Sequence, residues 1–160
     1  MRTIIVATEN TDKPMYTVDK ALSKPWLPLM RELVRANQAF SQYSDRHVKG
    51  LGLTPAQFDV LATLGNTAGM TFKELGEKTL LTKGSLTGIV DRMEGKGWVK
   101  RLGSSEDRRS VLVCLTTRGQ RLFEKVFPAH LNQLTTAFGR ISEQDQKDLE
   151  RLLRKLREAF

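Results

Sequence analysis

The sequence predicts a mainly α-helical chain with one small β-hairpin, on three observations. Apolar residues recur at helical spacing in several separate segments, among them Leu86, Ile89, Val90 and Met93 at i, i+3, i+4 and i+7. Residues that cap helices stand before those segments, twice with Gln or Glu three places on: Thr54 with Gln57, and Thr71 with Glu74. The period changes to two over residues 98–115, where two short runs flank a polar, charged loop.

In chain order, residues 1–20 show no clean periodicity and read as a tail. A helix is predicted from about Pro25 to His47, with Trp26, Met30, Leu33, Asn37 and Phe40 near one stripe, and Gly50-Leu51-Gly52 ends it. Thr54-Pro55-Ala56-Gln57 opens the next helix: Thr54 caps, Pro55 sits where its missing N–H is harmless, and Phe58, Leu61 and Leu64 point inward. Thr71 caps a short helix carrying Leu75, residues 79–81 make a turn, and Thr82 caps a helix that runs to Lys96 and stops at Gly97. Strands are predicted at Trp98–Leu102 and Val111–Leu115. A helix with Leu122, Phe123, Val126 and Phe127 follows, which Pro128 should kink or interrupt. Ser142 with Asp145 caps a last helix whose stripe is Leu149, Leu152, Leu153, Leu156 and Phe160.

Three short helices followed by a hairpin make a winged helix-turn-helix. The predicted organisation is therefore a tail over 1–20, a winged helix-turn-helix DNA-binding domain over 54–119, and a helical dimerisation region formed by 21–53 and 120–160. The apolar stripes of the flanking helices need covering, and a second copy would cover them.

Composition narrows the function classes. No stretch approaches the roughly 18 apolar residues of a membrane span, and the apolar run at residues 4–7 is too short for a typical signal peptide. The single cysteine, Cys114, has no internal disulfide partner, which fits a cytoplasmic location. The formal charge of +8 points to a polyanion, nucleic acid or a membrane surface. Its placement favours nucleic acid: between Lys83 and Arg121 nine basic residues stand against four acidic ones.

The Thr82–Lys96 helix suits the major groove of B-DNA. With its apolar face inward, Gly84, Gly88, Asp91 and Gly95 lie opposite, flanked by Lys83, Ser85, Thr87 and Arg92. Glycine costs about 1 kcal/mol relative to Ala in a helix, so Gly84 and Gly88 read as clearing space for close approach to DNA. Thr82, Lys83, Ser85, Thr87 and Arg92 are then the groups that reach phosphates or base edges, and the helix start favours phosphate. Asp91 cannot bind phosphate; it accepts from cytosine or steadies Arg92. In the hairpin loop, Arg108 and Arg109 suit the minor groove, with Asp107 orienting one of them, Arg109 the favoured one. Lys100, Arg101, Arg118 and Arg121 either touch phosphates or keep the surface solvated.

The remaining polar groups point to less. His47 and His130 are far apart in sequence with no ligand cluster around them, so no metal site and no cofactor is expected. Cys114 is out of phase with the inward residues of its strand, which leaves it exposed. Arg31, Arg35, Gln38, Tyr43 and His47, on or beside the first long helix, form a candidate site for a small anionic ligand. No phosphate loop, nucleophile motif or spaced carboxylate pair supports an enzyme.

The chain resembles the MarR family of bacterial winged-helix regulators over about residues 25–158. Residues 86–99 (LTGIVDRMEGKGWV) resemble its recognition helix running into the first wing strand. Asp107-Arg108-Arg109-Ser110, followed by residues 111–119, resembles its wing signature, and residues 53–61 resemble its second helix. The resemblance implies a homodimer joined by the first helix and the last two. It implies binding to palindromic operators, usually as a repressor, with release by small aromatic acids in many members. It makes Asp107 and Arg109 the wing pair and puts residues 82–87 in the major groove. Many members carry Arg or another long polar residue at position 88, glycine here, which implies a different operator preference. The cysteine used by peroxide-sensing members in the first helix is absent.

Two functional readings result. The first is a dimeric, sequence-specific regulator of inverted-repeat double-stranded DNA, most simply a repressor relieved by a small aromatic or anionic effector. The alternative is a winged-helix protein-interaction module without sequence-specific DNA binding, in which Arg109→Ala leaves partner binding intact.

Overall fold

The computed structural model describes residues 17–79, 81–103 and 111–160. Its elements are α1 (Val18–Leu22), α2 (Leu27–Gly50), α3 (Pro55–Leu64), β1 (Met70–Thr71), α4 (Phe72–Lys78), α5 (Lys83–Gly95), β2 (Val99–Gly103), β3 (Val111–Leu115), α6 (Thr117–Phe138) and α7 (Glu143–Arg157). The mainly helical fold with a small hairpin is as the sequence predicts.

The chain divides into two compact units, Met1–Ser41 and Gln42–Phe160. In the first, α1 begins inside the stretch read as a tail, and the N-terminal part of α2 carries exposed Leu29, Met30, Leu33 and Val34.

The second unit holds the core. Both predicted capping boxes form. The Thr54 hydroxyl accepts from the Gln57 N–H while the Thr54 N–H donates to Gln57 Oε1 at 3.1 Å. The Thr71 N–H donates to Glu74 Oε2 at 2.8 Å and the Glu74 N–H returns to Thr71 Oγ1. That bond from the Thr71 backbone is the main reason the Glu74 carboxyl is held below its ordinary value. The predicted inward residues meet: Leu61 and Leu64 of α3, Leu75 of α4, and Leu86, Val90 and Met93 of α5 are fully buried, while Phe58 is half-buried against them and Val60, which is not among those predicted, is fully buried.

The sheet has three strands, in the order β1-β3-β2, all antiparallel. The sequence shows only two, because β1 is two residues long and its second residue, Thr71, is itself the cap of α4. The turn leading into β1 corrects the expectation for Cys114. Its thiol is buried and donates to the Ala68 carbonyl at 3.2 Å. A Cβ on Gly69 would stand 2.3 Å from Cys114 Sγ, so glycine is needed for the approach, and Gly69 also has a φ of +118°.

Pro128 does not interrupt α6, which runs from Thr117 to Phe138 with Phe123, Val126 and His130 buried along one side. One missing N–H is outweighed by that continuous packed face. The start of α6 is fixed to the hairpin. Thr116 Oγ1 caps Gly119 N–H at 3.0 Å and donates to the Gly97 carbonyl at 2.6 Å. Gly119 lies so close to β2's entry that an added Cβ would stand 1.9 Å from the Trp98 carbonyl oxygen.

Candidate nucleic-acid interface

Helix α5 has two distinct sides. Leu86, Ile89, Val90 and Met93 are buried, while Gly84, Ser85, Thr87, Asp91, Arg92 and Gly95 are exposed and Gly88 is half-buried. Thr82 caps it as predicted, accepting weakly from the Ser85 N–H at 3.4 Å and donating to Ser85 Oγ at 2.9 Å. Lys83 opens the helix; its side chain lies outside the described residues. Among the described residues nothing lies within 4 Å of a Cβ built on Gly84, and one on Gly88 would meet only Arg92 Nη1, at 3.5 Å. Internal packing therefore requires glycine at neither position.

Asp107, Arg108 and Arg109 fall in residues 104–110, outside the described residues. The strands that carry this loop are described. β2 and β3 pair from Val99 opposite Leu115 to Gly103 opposite Val111, so the loop closes between Gly103 and Val111.

Helix and hairpin are joined by ion pairs. Asp91 Oδ1 accepts from Arg101 Nη2 at 2.5 Å, so the partner it has here is Arg101. Arg101 Nη1 also pairs with Glu94. The Arg101 backbone N–H donates to Glu94 Oε1 at 3.2 Å, and the guanidinium carbon lies 5.4 Å from the Phe72 ring centroid. The hydrogen bond to Asp91 is the leading reason that the Arg101 pKa is raised. The sequence held one signal for this. Two acids at i, i+3 share a face of α5 just before a glycine turn, and the hairpin brings Arg101 back beside them. Lys96 is likewise occupied, its Nζ 4.4 Å from the Trp98 ring centroid.

The candidate effector residues fall in both units. Arg31, Arg35 and Gln38 belong to the first unit, where Arg35 pairs with Glu32 at 2.7 Å and both are exposed. Tyr43 and His47 belong to the second, where they line a cleft of about 420 Å³ with Arg46, Gly50, Leu51 and Gln133. The Tyr43 hydroxyl donates to the Gln133 carbonyl at 2.9 Å and accepts from Gln133 Nε2 at 2.8 Å. Arg46, three residues after Tyr43, was legible as a helix-face neighbour; Gln133 was not. A second cleft, of about 600 Å³, is lined by Phe72, Gly76, Leu81, Thr87 and Arg101 among others, beside α5.

His47 and His130, distant in sequence, are brought into contact. Their Nδ1 atoms lie 3.1 Å apart, and the Phe58 ring meets His130 edge-on at 4.6 Å. No group of three or more His, Cys, Asp or Glu residues among those described is placed to hold a metal ion. No helix among them is long and apolar enough to cross a membrane.

The MarR family profile matches residues 53–111, the segment containing α3 to the end of the hairpin loop. The HTH-type transcriptional regulator YkoM of Bacillus subtilis is 32% identical over 79% of this chain and 82% of its own length. The crystal structure of a mutant MarR from Escherichia coli complexed with operator DNA superposes with a TM-score of 0.73 at 31% identity, over 84% of this chain and 99% of that one. BpsR of Bordetella bronchiseptica, whose DNA binding is regulated by 6-hydroxynicotinic acid, superposes with a TM-score of 0.75 at 25% identity, over 86% and 98%. On this identity and coverage the chain belongs to the MarR family of winged helix-turn-helix, DNA-binding transcriptional regulators, a regulatory rather than a catalytic family.

Proposed function

We propose that the protein is a homodimeric repressor that binds inverted-repeat operators through α5 and the hairpin loop and is released by a small aromatic or anionic ligand. The observation that carries this is the exposed face of α5. Two glycines that packing does not need, Gly84 in the first turn of a capped helix and Gly88 at its middle, share that helix with Ser85, Thr87 and Arg92. Such a face lets backbone approach DNA closely and offers a phosphate the positive helix end. Thr82, Lys83, Gly84, Ser85, Thr87, Gly88 and Arg92 form the major-groove set in this reading. Asp107, Arg108 and Arg109 form the minor-groove set.

The dimer rests on apolar surface that the protomer leaves exposed: Leu29, Met30 and Leu33 of α2, and Leu149, Leu152 and Leu153 of α7. The helices outside 54–119 are its dimerisation region, and two heads related by a two-fold axis reach major grooves about 34 Å apart. For the effector, the cleft lined by Tyr43, Arg46 and His47 offers a cation beside aromatic and polar groups. The relative regulated by 6-hydroxynicotinic acid supports an aromatic acid as its occupant. A repressor of chromosomal operators works in the cytoplasm.

Selection of genomic fragments on the purified protein, with and without a panel of aromatic acids, tests this directly. The expected result is enrichment of an inverted repeat and its loss with one of the acids. Enrichment of no palindromic site would overturn the reading.

A further inference from the structure

The structure assigns Arg101 a role that no DNA contact supplies: we infer that it is a positioning residue that locks the hairpin to helix α5, so that loop and helix meet DNA at one fixed spacing. This rests on the proposed use of α5 and the hairpin loop as the two reading elements.

Arg101 sits in β2, whose last residue, Gly103, leads directly into the loop. Its guanidinium bridges one turn of α5 by engaging both Asp91 and Glu94, and its own backbone N–H is held by the second oxygen of Glu94. Phe72 of α4 lies beneath the guanidinium carbon. One side chain therefore ties the strand before the loop to both helices of the helix-turn-helix. A guanidinium makes this possible because its planar fork holds two carboxylates in fixed directions, which an ammonium does not.

Charge argues the same way. Two carboxylates on a surface that faces a polyanion weaken its attraction, and they also occupy the one arginine between them. That arrangement is costly for phosphate binding and useful for geometry. The two ideas therefore give opposite signs. Replacing both acids by their amides removes two negative charges from the protein and breaks both ion pairs of Arg101. If Arg101 serves charge, DNA binding tightens. If it positions the hairpin, binding to the specific site weakens although the charge has improved.

The test uses the full chain and the duplex most enriched from genomic fragments, with a random duplex of equal length as reference. The Asp91→Asn/Glu94→Gln double variant is expected to bind the enriched duplex about tenfold or more weakly, a loss typical of broken networks. Its binding to the random duplex should stay equal or tighten. Arg101→Lys, which keeps the charge and loses the fork, should show the same loss of specific affinity with an unchanged slope of log affinity against log salt. Arg101→Gln, which also removes the charge, should leave that slope unchanged, whereas loss of a phosphate contact would lower it by about 0.9. Circular dichroism and thermal melting confirm that each variant is folded; Arg101→Lys, the milder change, carries the test if the double variant is not. Equal or tighter specific binding by the folded variants overturns the inference. A wild-type protein that prefers no duplex over the random one overturns the DNA-reading assignment itself.

Discussion

The Nδ1 atoms of His47 and His130 lie 3.1 Å apart although 83 residues separate them, joining the C-terminal part of α2 to α6. At that distance the two nitrogens share one hydrogen, one donating and the other accepting. A second proton would set two N–H groups against each other.

That contact makes stability depend on pH in a defined direction. Burial first, and the neighbouring His47 second, hold the His130 pKa below the ordinary 6.5. The unfolded chain therefore binds more protons between those two values, and stability rises with pH across that window. The contribution is complete above about pH 6.5 and is lost as pH falls through the depressed value. Glu74 and Asp148, whose pKa values are also lowered, lose their contributions at more acid pH, below ordinary values of 4.5 and 3.8. Thermal midpoints from pH 8 to pH 5 should be level at first and then fall below about pH 6.5. His130→Gln should remove the fall within that window, and a wild-type midpoint level down to pH 5 would contradict this account.

Gly88 separates folding from reading. It lies mid-helix, and an added methyl would meet only the end of the Arg92 side chain at an ordinary distance. Gly88→Ala should therefore stabilise the protein by about 1 kcal/mol, the helix-propensity difference. If the glycine face admits DNA backbone or bases closely, the same change weakens specific DNA binding. Denaturant melts alongside DNA titrations measure both, and a variant that is more stable and binds equally well removes the close-approach argument.

The elements were legible where local chemistry decides them. Thr54, Thr71, Thr82 and Ser142 each cap the helix their sequence context predicts, and the inward residues of α5 follow from spacing alone. What failed was non-local. β1 exists because β3 offers it an edge, not because Met70-Thr71 has a strand pattern, and the Ala68-Gly69 turn leading into it lies against Cys114. The Arg101 pairing and the histidine contact both depend on how the hairpin and α6 return to earlier elements. Periodicity carries no information about such returns. The candidate DNA face was readable because helix spacing alone puts its residues on one side.

In the loop, Arg109 and Arg108 are distinguished by experiment. On the proposed reading of Arg109 as a minor-groove residue, Arg109→Ala should cost specific binding about 1–3 kcal/mol and relax preference for A·T pairs there. If Arg108 adds only its charge, Arg108→Ala should mainly lower the salt slope by about 0.9. Reversal of the two patterns would exchange the roles, and no effect from either would leave the hairpin outside the interface.

Helix α7 tests the dimer. Leu149, Leu152 and Leu153 are between 42% and 52% exposed in the protomer, while Asp148 pairs with Arg151, and Glu150 with Arg154, on the same short helix. The ion pairs keep the polar side in water, and the leucines have no core of their own to fill. Replacing Leu152 and Leu153 by Glu should therefore leave the helical content of a single chain intact, because exposed side chains contribute little to a protomer's packing. The same change sets four like charges against each other across a two-fold interface. Sedimentation should then show a monomer in place of a dimer. Affinity for an inverted repeat should fall by at least 100-fold, since each head must now bind without the effective concentration its partner supplied. A variant that stays dimeric would move the interface away from α7, and a monomer with full affinity would remove the need for two heads.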